Sequence, residues 1–314
     1  MNAYPFVSII IPCYNQENVI IESIKSCINQ TYKNIEIIIS DDCSNDSTFE
    51  TVERFCLNSK EGNIRAFRNK VNLGVVGNCT RVAGLAKGEL IVVAAGDDIS
   101  EPQRVEKIVN RWISGNRKAS LIWSDFEPIG PDGAFLTKKI RKRNSGYLIP
   151  EDSSAPLVIV RDHLGVRGAT MAFVPDVFHR FGPLSRHIMT EDAGIPFRAA
   201  LIGNIAYIDE PLVRWRRGGV STSPERDRRQ RSRWFIGMYM GFIEDTLKTD
   251  HPDKLEIIHH AARQLDYERM NLEIAEAIRL PMLARVRMAA KIAVKYRRIK
   301  PLKQIYRAIQ GKNK

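Results

Sequence analysis

Short β-branched runs punctuate the first hundred residues. Val7–Ile11 is apolar and is stopped by Pro12; Ile35–Ile39 follows and closes on the polar turn Ser40–Asp46. Ile64–Phe67 is a weaker third run, and Leu90–Ala95 a fourth that ends at Gly96-Asp97-Asp98. Continuous apolar runs between turn residues fit strands buried on both faces. Between them, Val19, Ile20, Ile24, Cys27 and Ile28 recur at helical spacing, and Ser47 with Glu50 reads as a capping box opening a second helix. The alternation β-α-β-α-β-α-β predicts an α/β fold with a mostly parallel, doubly wound sheet. Ligands of such sheets bind outside the carboxyl ends of the strands. Pro12-Cys13-Tyr14, Asp41-Asp42 and Gly96-Asp97-Asp98 are therefore expected to converge on one cleft.

The pattern thins from Ala119 to Val220. Leu121–Trp123 and Thr170–Val174 read as strands around a Pro/Gly-punctuated excursion. Thr190-Glu191-Asp192 opens a helix to about Leu201, and Ile205–Ile208 and Leu212–Trp215 read as two further strands. Beyond Arg226 the periodicity is helical: Trp234, Met238 and Phe242 share one face, and Leu255, Ile258, Ala262 and Leu265 another. A boundary is expected at 221–225, where Ser221-Thr222-Ser223-Pro224 interrupts the pattern. It divides a domain at 1–224, with halves at about 1–118 and 119–224, from a helical region at 225–314.

Charge changes that picture at one end. The 314 residues carry a net charge of +12, yet residues 284–314 hold eleven Lys and Arg and no Asp or Glu, which leaves the preceding chain at +1. In this tail Met282, Val286, Ala289, Ala293 and Tyr296 form an apolar stripe, and Leu302, Ile305, Tyr306 and Ile309 a second one after Pro301. Basic amphipathic helices suit an anionic membrane surface. With no nucleic-acid-binding motif in the tail, no nucleic acid partner is expected. The overall composition, 44% hydrophobic and 27% charged, excludes a disordered chain. No apolar run approaches the roughly 18 residues of a membrane span, and no secretory signal pattern opens the sequence. Five dispersed cysteines without a CxxC pair argue against a disulfide or zinc framework. The expected location is cytoplasmic, peripheral on the inner face of the cell membrane.

Two carboxylate pairs, Asp41-Asp42 and Asp97-Asp98, stand at predicted strand ends. Asp is common in turns for its own capping bonds, but two pairs at the same edge of one sheet suit a hard cation bridging phosphates. Neither GxGxxG nor GxxxxGK[ST] occurs, so a phosphate ligand would need that cation. None of the six histidines has a metal-ligand spacing.

Four collinear blocks then carry a resemblance. Val7-Ser8-Ile9-Ile10-Ile11-Pro12-Cys13-Tyr14-Asn15-Gln16-Glu17 resembles the "VSVIIPxYNxE" opening of family-2 glycosyltransferases, and residues 30–48 resemble their "QTYxxxEIIVxDDxSxDxT" segment. Asn72-Leu73-Gly74, and then Ala86-Lys87-Gly88-Glu89 with Gly96-Asp97-Asp98 and Pro102, continue the series. The resemblance is dense over 6–105 and traceable to about 223. It implies a GT-A fold and inverting transfer from a nucleotide-sugar donor to a saccharide or lipid-linked saccharide acceptor, as in surface-polysaccharide assembly. It also implies residue roles: Pro12 and Tyr14 flanking the base, Asp42 bonding the base ring, and Asn72 lining the nucleotide pocket. Asp97 would bind ribose or metal, and Asp98 would hold a divalent cation, Mn²⁺ or Mg²⁺. Glu191-Asp192, with Arg198 six residues on, matches the later "ED" motif and makes Asp192 the expected base, although acidic residues are favoured in any first helical turn. One departure stands out. The family's "YRxHxxxxS" segment reads Trp215-Arg216-Arg217-Gly218-Gly219-Val220-Ser221 here and lacks the His, so Arg216 or Arg217 is a candidate to neutralise the diphosphate. A non-catalytic nucleotide-binding or scaffolding protein on the same fold is the alternative reading.

Overall fold

The computed structural model describes residues 4–59, 63–136, 149–152, 154–162, 166–218 and 227–297. The first half alternates as the apolar runs require: β1 (Val7–Cys13), α1 (Ile20–Ile28), β2 (Ile35–Asp41), α2 (Thr48–Asn58), β3 (Ile64–Arg68), α3 (Gly74–Ala83), β4 (Leu90–Val93), a two-residue β5 (Ile99–Ser100) and α4 (Arg104–Ser114). There follow β6 (Ala119–Ile129), α5 (Ala155–Asp162), β7 (Met171–Phe173), α6 (Asp176–His179), α7 (Glu191–Ile202) and β8 (Asn204–Arg216). Three helices close the described chain: α8 (Arg228–Leu247), α9 (Lys254–Ala277) and α10 (Met282–Lys295).

The strands form one sheet in the order β3-β2-β1-β4-β7-β6-β8-β5. β3, β2, β1 and β4 are parallel, as are β6 and β8; β7 runs antiparallel to both its neighbours, and β5 is antiparallel to β8. Strand periodicity explains why the isoleucine run of β1 is apolar on both faces. Ile9 and Ile11 belong to the core over α1 and α4, while Ile10 belongs to the opposite core with Cys79 of α3, Phe197 of α7 and Phe242 of α8. Both faces are covered, so neither set of side chains meets water.

Several elements depart from the sequence pattern. Ile205–Ile208 and Leu212–Trp215 lie on the single strand β8: Ser124 pairs with Ile208 and Asp125 with Pro211, so Asp209 and Glu210 bulge out of the ladder. The predicted capping box does not form. Ser47 makes no side-chain cap; Asp46 Oδ1 accepts from Thr48 N–H (2.9 Å), and Glu50 pairs with Arg68 (3.3 Å). On α9 the buried stripe is Ile257, Ala261 and Leu265; of the expected stripe Leu265 is buried, Ile258 and Ala262 are half-buried, and Leu255 is 83% exposed.

The helices at 228–277 share the sheet's core. Met238, Tyr239, Phe242, Ile257, Ala261 and Leu265 are buried against it, and Phe242 stacks on Phe197 with ring centroids 3.9 Å apart. Beneath that contact Arg198 and Asp245 form a fully buried pair, Nε to Oδ2 2.7 Å, and Arg198 also donates to the carbonyls of Gly182 and Pro183. α10 packs on α9 through Ala289 and Ile292. The expected boundary at 221–225 and the second tail stripe at 302–309 lie outside the described residues.

Candidate functional site

The carboxyl ends of β1, β2 and β4 open onto a cavity of about 310 Å³. Its walls include Pro12, Cys13, Tyr14 and Gln16 after β1, Asp42 after β2, Asn72 and Asn78 around α3, and Asp97 after β4. Ala169 and Glu191 complete it from the second half of the chain. Five of the residues singled out from sequence, Pro12, Tyr14, Asp42, Asn72 and Asp97, are brought together here; Asp98 and Asp192 are not on the cavity wall.

The two members of each Asp pair do different things. Asp41 is fully buried and spends its carboxylate on Ser44, accepting from both its N–H (3.0 Å) and its hydroxyl. Asp42 reaches the cavity, with Oδ1 fixed by Asn69 Nδ2 (2.7 Å) and Leu73 N–H (2.8 Å). Asn69 also donates to Asn78 Oδ1, and Asn78 Nδ2 donates to the Ser40 carbonyl, so a buried amide network orients Asp42 from behind. In the second pair Asp97 is on the wall. Asp98 is 5% exposed, and its Oδ1 accepts from the Arg216 N–H (2.8 Å). Burial, then the Asp97 charge, push Asp98 up to about 7, and burial raises Asp97 as well.

The chain comes close to itself behind this pair. A Cβ on Gly96 would stand 2.2 Å from Gln16 Oε1 and 2.8 Å from Cys13 Cβ, so only glycine lets the loop lie against β1. Gln16 Oε1 is itself buried on the cavity wall without a hydrogen-bond partner.

Arg216 is not available to a diphosphate. Its guanidinium donates to the carbonyls of Asp97 (2.8 Å) and Pro131 (2.8 Å) and pairs with Glu22 of α1. It clasps the Asp97 loop to the end of β8. Arg217 is exposed beyond it.

The acidic pair at the start of α7 is divided by the cavity. Glu191 lines it and Asp192 stands behind, its carbonyl accepting from Val166 N–H (3.3 Å). Burial, followed by the Asp192 charge, pushes Glu191 up to about 7; burial also raises Asp192, with the Arg167 charge pulling the other way. Arg167 is held 4.4 Å from the ring centroids of both Phe126 and Trp215.

Among the described residues no three His, Cys, Asp or Glu side chains come together as a metal-binding group. One or two carboxylates beside a cavity nevertheless fit Mg²⁺ or Mn²⁺, which take their remaining ligands from substrate oxygens and water. Asp97 and Asp98 have that chemistry. Sequence reasoning missed Gln16, Asn69, Asn78 and Glu191 as parts of this site. Asn78 had a legible signal, a polar side chain on the helix stripe of Cys79 and Val82.

Carboxylates and a buried amide network stand around the carboxyl ends of β1, β2 and β4 in a largely parallel sheet, where such sheets bind their ligands. Residues 8–161, just under half of the chain, match the family described as Glycosyl transferase family 2, and this segment belongs to that family. The hyaluronan synthase of Pasteurella multocida is 29% identical over 157 residues, which are 50% of this chain and 15% of that protein. Among solved structures, S. aureus TarS 1-349 in complex with UDP-GlcNAc superposes with a TM-score of 0.63 at 16% identity, over 98% of this chain and 88% of that one. The mannosyltransferase PcManGT from Pyrobaculum calidifontis, in complex with GDP-Man and Mn²⁺, gives 0.56 at 19% identity, over 99% and 88%. These likenesses show a GT-A fold. Of three curated relatives matched over 109 to 133 residues, the chain spans 19% to 39% of the length.

Proposed function

We propose that this protein transfers a sugar from a nucleotide-sugar donor to a saccharide or lipid-linked saccharide acceptor in surface-polysaccharide synthesis, with inversion at the anomeric carbon. The observation that carries this reading is the meeting of Pro12, Tyr14, Asp42, Asn72 and Asp97 in one cavity that Glu191 closes from the other half. Pro12 and Tyr14 flank the base, Asp42 accepts a hydrogen bond from its ring, and Asp97 faces the ribose and diphosphate. Relatives and neighbours supply support in kind: one is a polysaccharide synthase, and two bind UDP-GlcNAc or GDP-Man.

The chemistry follows from charge. The acceptor hydroxyl attacks C1 as its proton passes to the Asp192 carboxylate, and the C1–O bond electrons leave with the nucleoside diphosphate. Burial raises Asp192 toward the working pH, which favours a general base. Asp97 and Asp98 would hold a divalent cation, which when bound supplies positive charge to the leaving diphosphate. At the other end of the molecule, Arg287 and Lys291 stand exposed on α10 beside exposed Val286, Met288 and Val294, a face suited to anionic lipid at the inner membrane surface. No helix among the described residues is long and apolar enough to cross a membrane.

The test is Asp192→Asn. Transfer should fall by about 10²–10⁴ while nucleoside diphosphate still binds. Transfer at the unsubstituted rate would remove Asp192 from the mechanism.

A further inference from the structure

Arg104, the first residue of α4, is 1% exposed and plays no part in the transfer chemistry. Burying a guanidinium costs several kcal/mol unless its donors are satisfied. Here burial brings its pKa down to about 10, so it stays charged at neutral pH. Its Nη1 donates to Ser100 Oγ (2.9 Å) and its Nη2 to two carbonyls, Val93 (2.8 Å) and Ala169 (2.6 Å), while Nε is buried without a partner.

Those two carbonyls come from different segments of the chain. Val93 ends β4, four residues before Asp97, and Ala169 comes from the turn at Gly168–Thr170; both residues line the cavity. The same turn abuts the acidic pair. Val166 N–H bonds the Asp192 carbonyl (3.3 Å), and Gly168 lies so close to Glu191 that an added Cβ would be 2.2 Å from Oε1. A single nitrogen therefore joins the strand that leads into the Asp97 loop to the turn against which Glu191 and Asp192 are set.

We propose that Arg104 is a positioning residue that fixes the distance between the donor-binding wall at Val93–Asp97 and the acidic pair at Glu191-Asp192. The role rests on the donor-site reading above. It needs arginine: the planar fork aims one nitrogen at both carbonyls and another at Ser100, whereas lysine offers a single flexible ammonium. Reacting groups tolerate little displacement, and a 1 Å misplacement can cost 10²-fold in rate.

The experiment compares the full chain with Arg104→Lys and Gly168→Ala, the latter pushing on the same turn without touching Arg104. Nucleoside diphosphate binding is measured by calorimetry, so that rates are expressed per binding-competent site, and kcat and donor KM are measured separately. Both variants should bind with unchanged stoichiometry and with affinity and donor KM within about threefold, while kcat per site falls by about 10²-fold. An Arg104→Lys enzyme with unchanged kcat overturns the proposal. So does a parallel loss of binding and kcat in both variants, because Arg104 would then only hold the cavity open. If Arg104→Lys does not fold, Ser100→Ala takes its place, because it removes the hydroxyl that aims Nη1 and leaves Arg104 itself in the chain: a fall in kcat per site with unchanged affinity supports the role, and an unchanged kcat overturns it. Failure of the unsubstituted protein to bind any nucleoside diphosphate would strike the donor-site reading itself, and is seen before any variant is made.

Discussion

Single side chains in this site are set by burial more than by neighbouring charge. Glu191 is the clearest case, moved from an ordinary value near 4.5 up to about 7, with burial the larger cause. Between those two values the folded chain binds more protons at this group than the unfolded chain, so its contribution to stability falls as pH rises across the window and is flat above it. Glu191→Gln removes the penalty. The variant should melt above the unsubstituted protein at pH 8, and the gap should close as pH is lowered toward 4.5; a gap independent of pH would contradict the assignment. Gly96 gives a second residue-level expectation. Its alanine variant places a methyl group against Gln16 and Cys13, so nucleoside diphosphate affinity should drop by at least tenfold in a binding titration. The sequence made Asp42 and Asp97 legible through their position after apolar runs. It did not separate Asp41 from Asp42, because both stand in the same turn and only the fold decides which carboxylate Ser44 consumes. Gln16 was hidden for the opposite reason: an ordinary loop residue becomes part of a cavity only when the Gly96 loop closes over it.

Elements were legible where one periodicity ruled. β1, β2 and β4 are buried almost throughout and mostly apolar because helices cover both faces, and α7 starts at Glu191, as the acidic first turn implied. β8 was not legible as one strand, since Asp209-Glu210-Pro211 carries the polar and proline marks of a turn while forming a bulge in a continuous ladder with β6. The Leu255 stripe on α9 is buried only at Leu265, because a long helix with apolar residues on several faces offers more than one register, and tertiary packing chose Ile257. A fully buried ion pair ties α7, which presents the acidic pair, to α8. Arg198 and Asp245 have no exposed side-chain surface, and Asp245→Asn leaves the guanidinium without its counter-charge. Breaking a buried pair in this way costs about 3–5 kcal/mol. Urea unfolding should show that loss as a lower midpoint; a change under 1 kcal/mol would mean that the pair is not what holds α8 to the body.

At the scale of the whole molecule, a nearly neutral body carries a basic end, the end proposed above to meet anionic lipid. Each basic group near an anionic surface adds about 1 kcal/mol of attraction, screened by salt. Replacing Arg287 and Lys291 together by Gln in the full chain should therefore weaken sedimentation with phosphatidylserine vesicles by roughly tenfold or more at low salt, and leave nucleotide binding unchanged. Equal binding of both proteins to such vesicles would remove α10 as the membrane contact. The central claim concerns the body. The measurement that tests it most directly is thermal unfolding with UDP, dTDP, GDP and CMP, each with and without Mn²⁺ or Mg²⁺, in the unsubstituted protein and in Asp97→Asn. A ligand that binds only the folded state at about 100 times its Kd adds about 2.7 kcal/mol of stability. One nucleoside diphosphate should raise the melting temperature in a metal-dependent way, and the rise should shrink in Asp97→Asn. No rise with any nucleotide, with or without metal, would contradict a donor site at the ends of β1, β2 and β4.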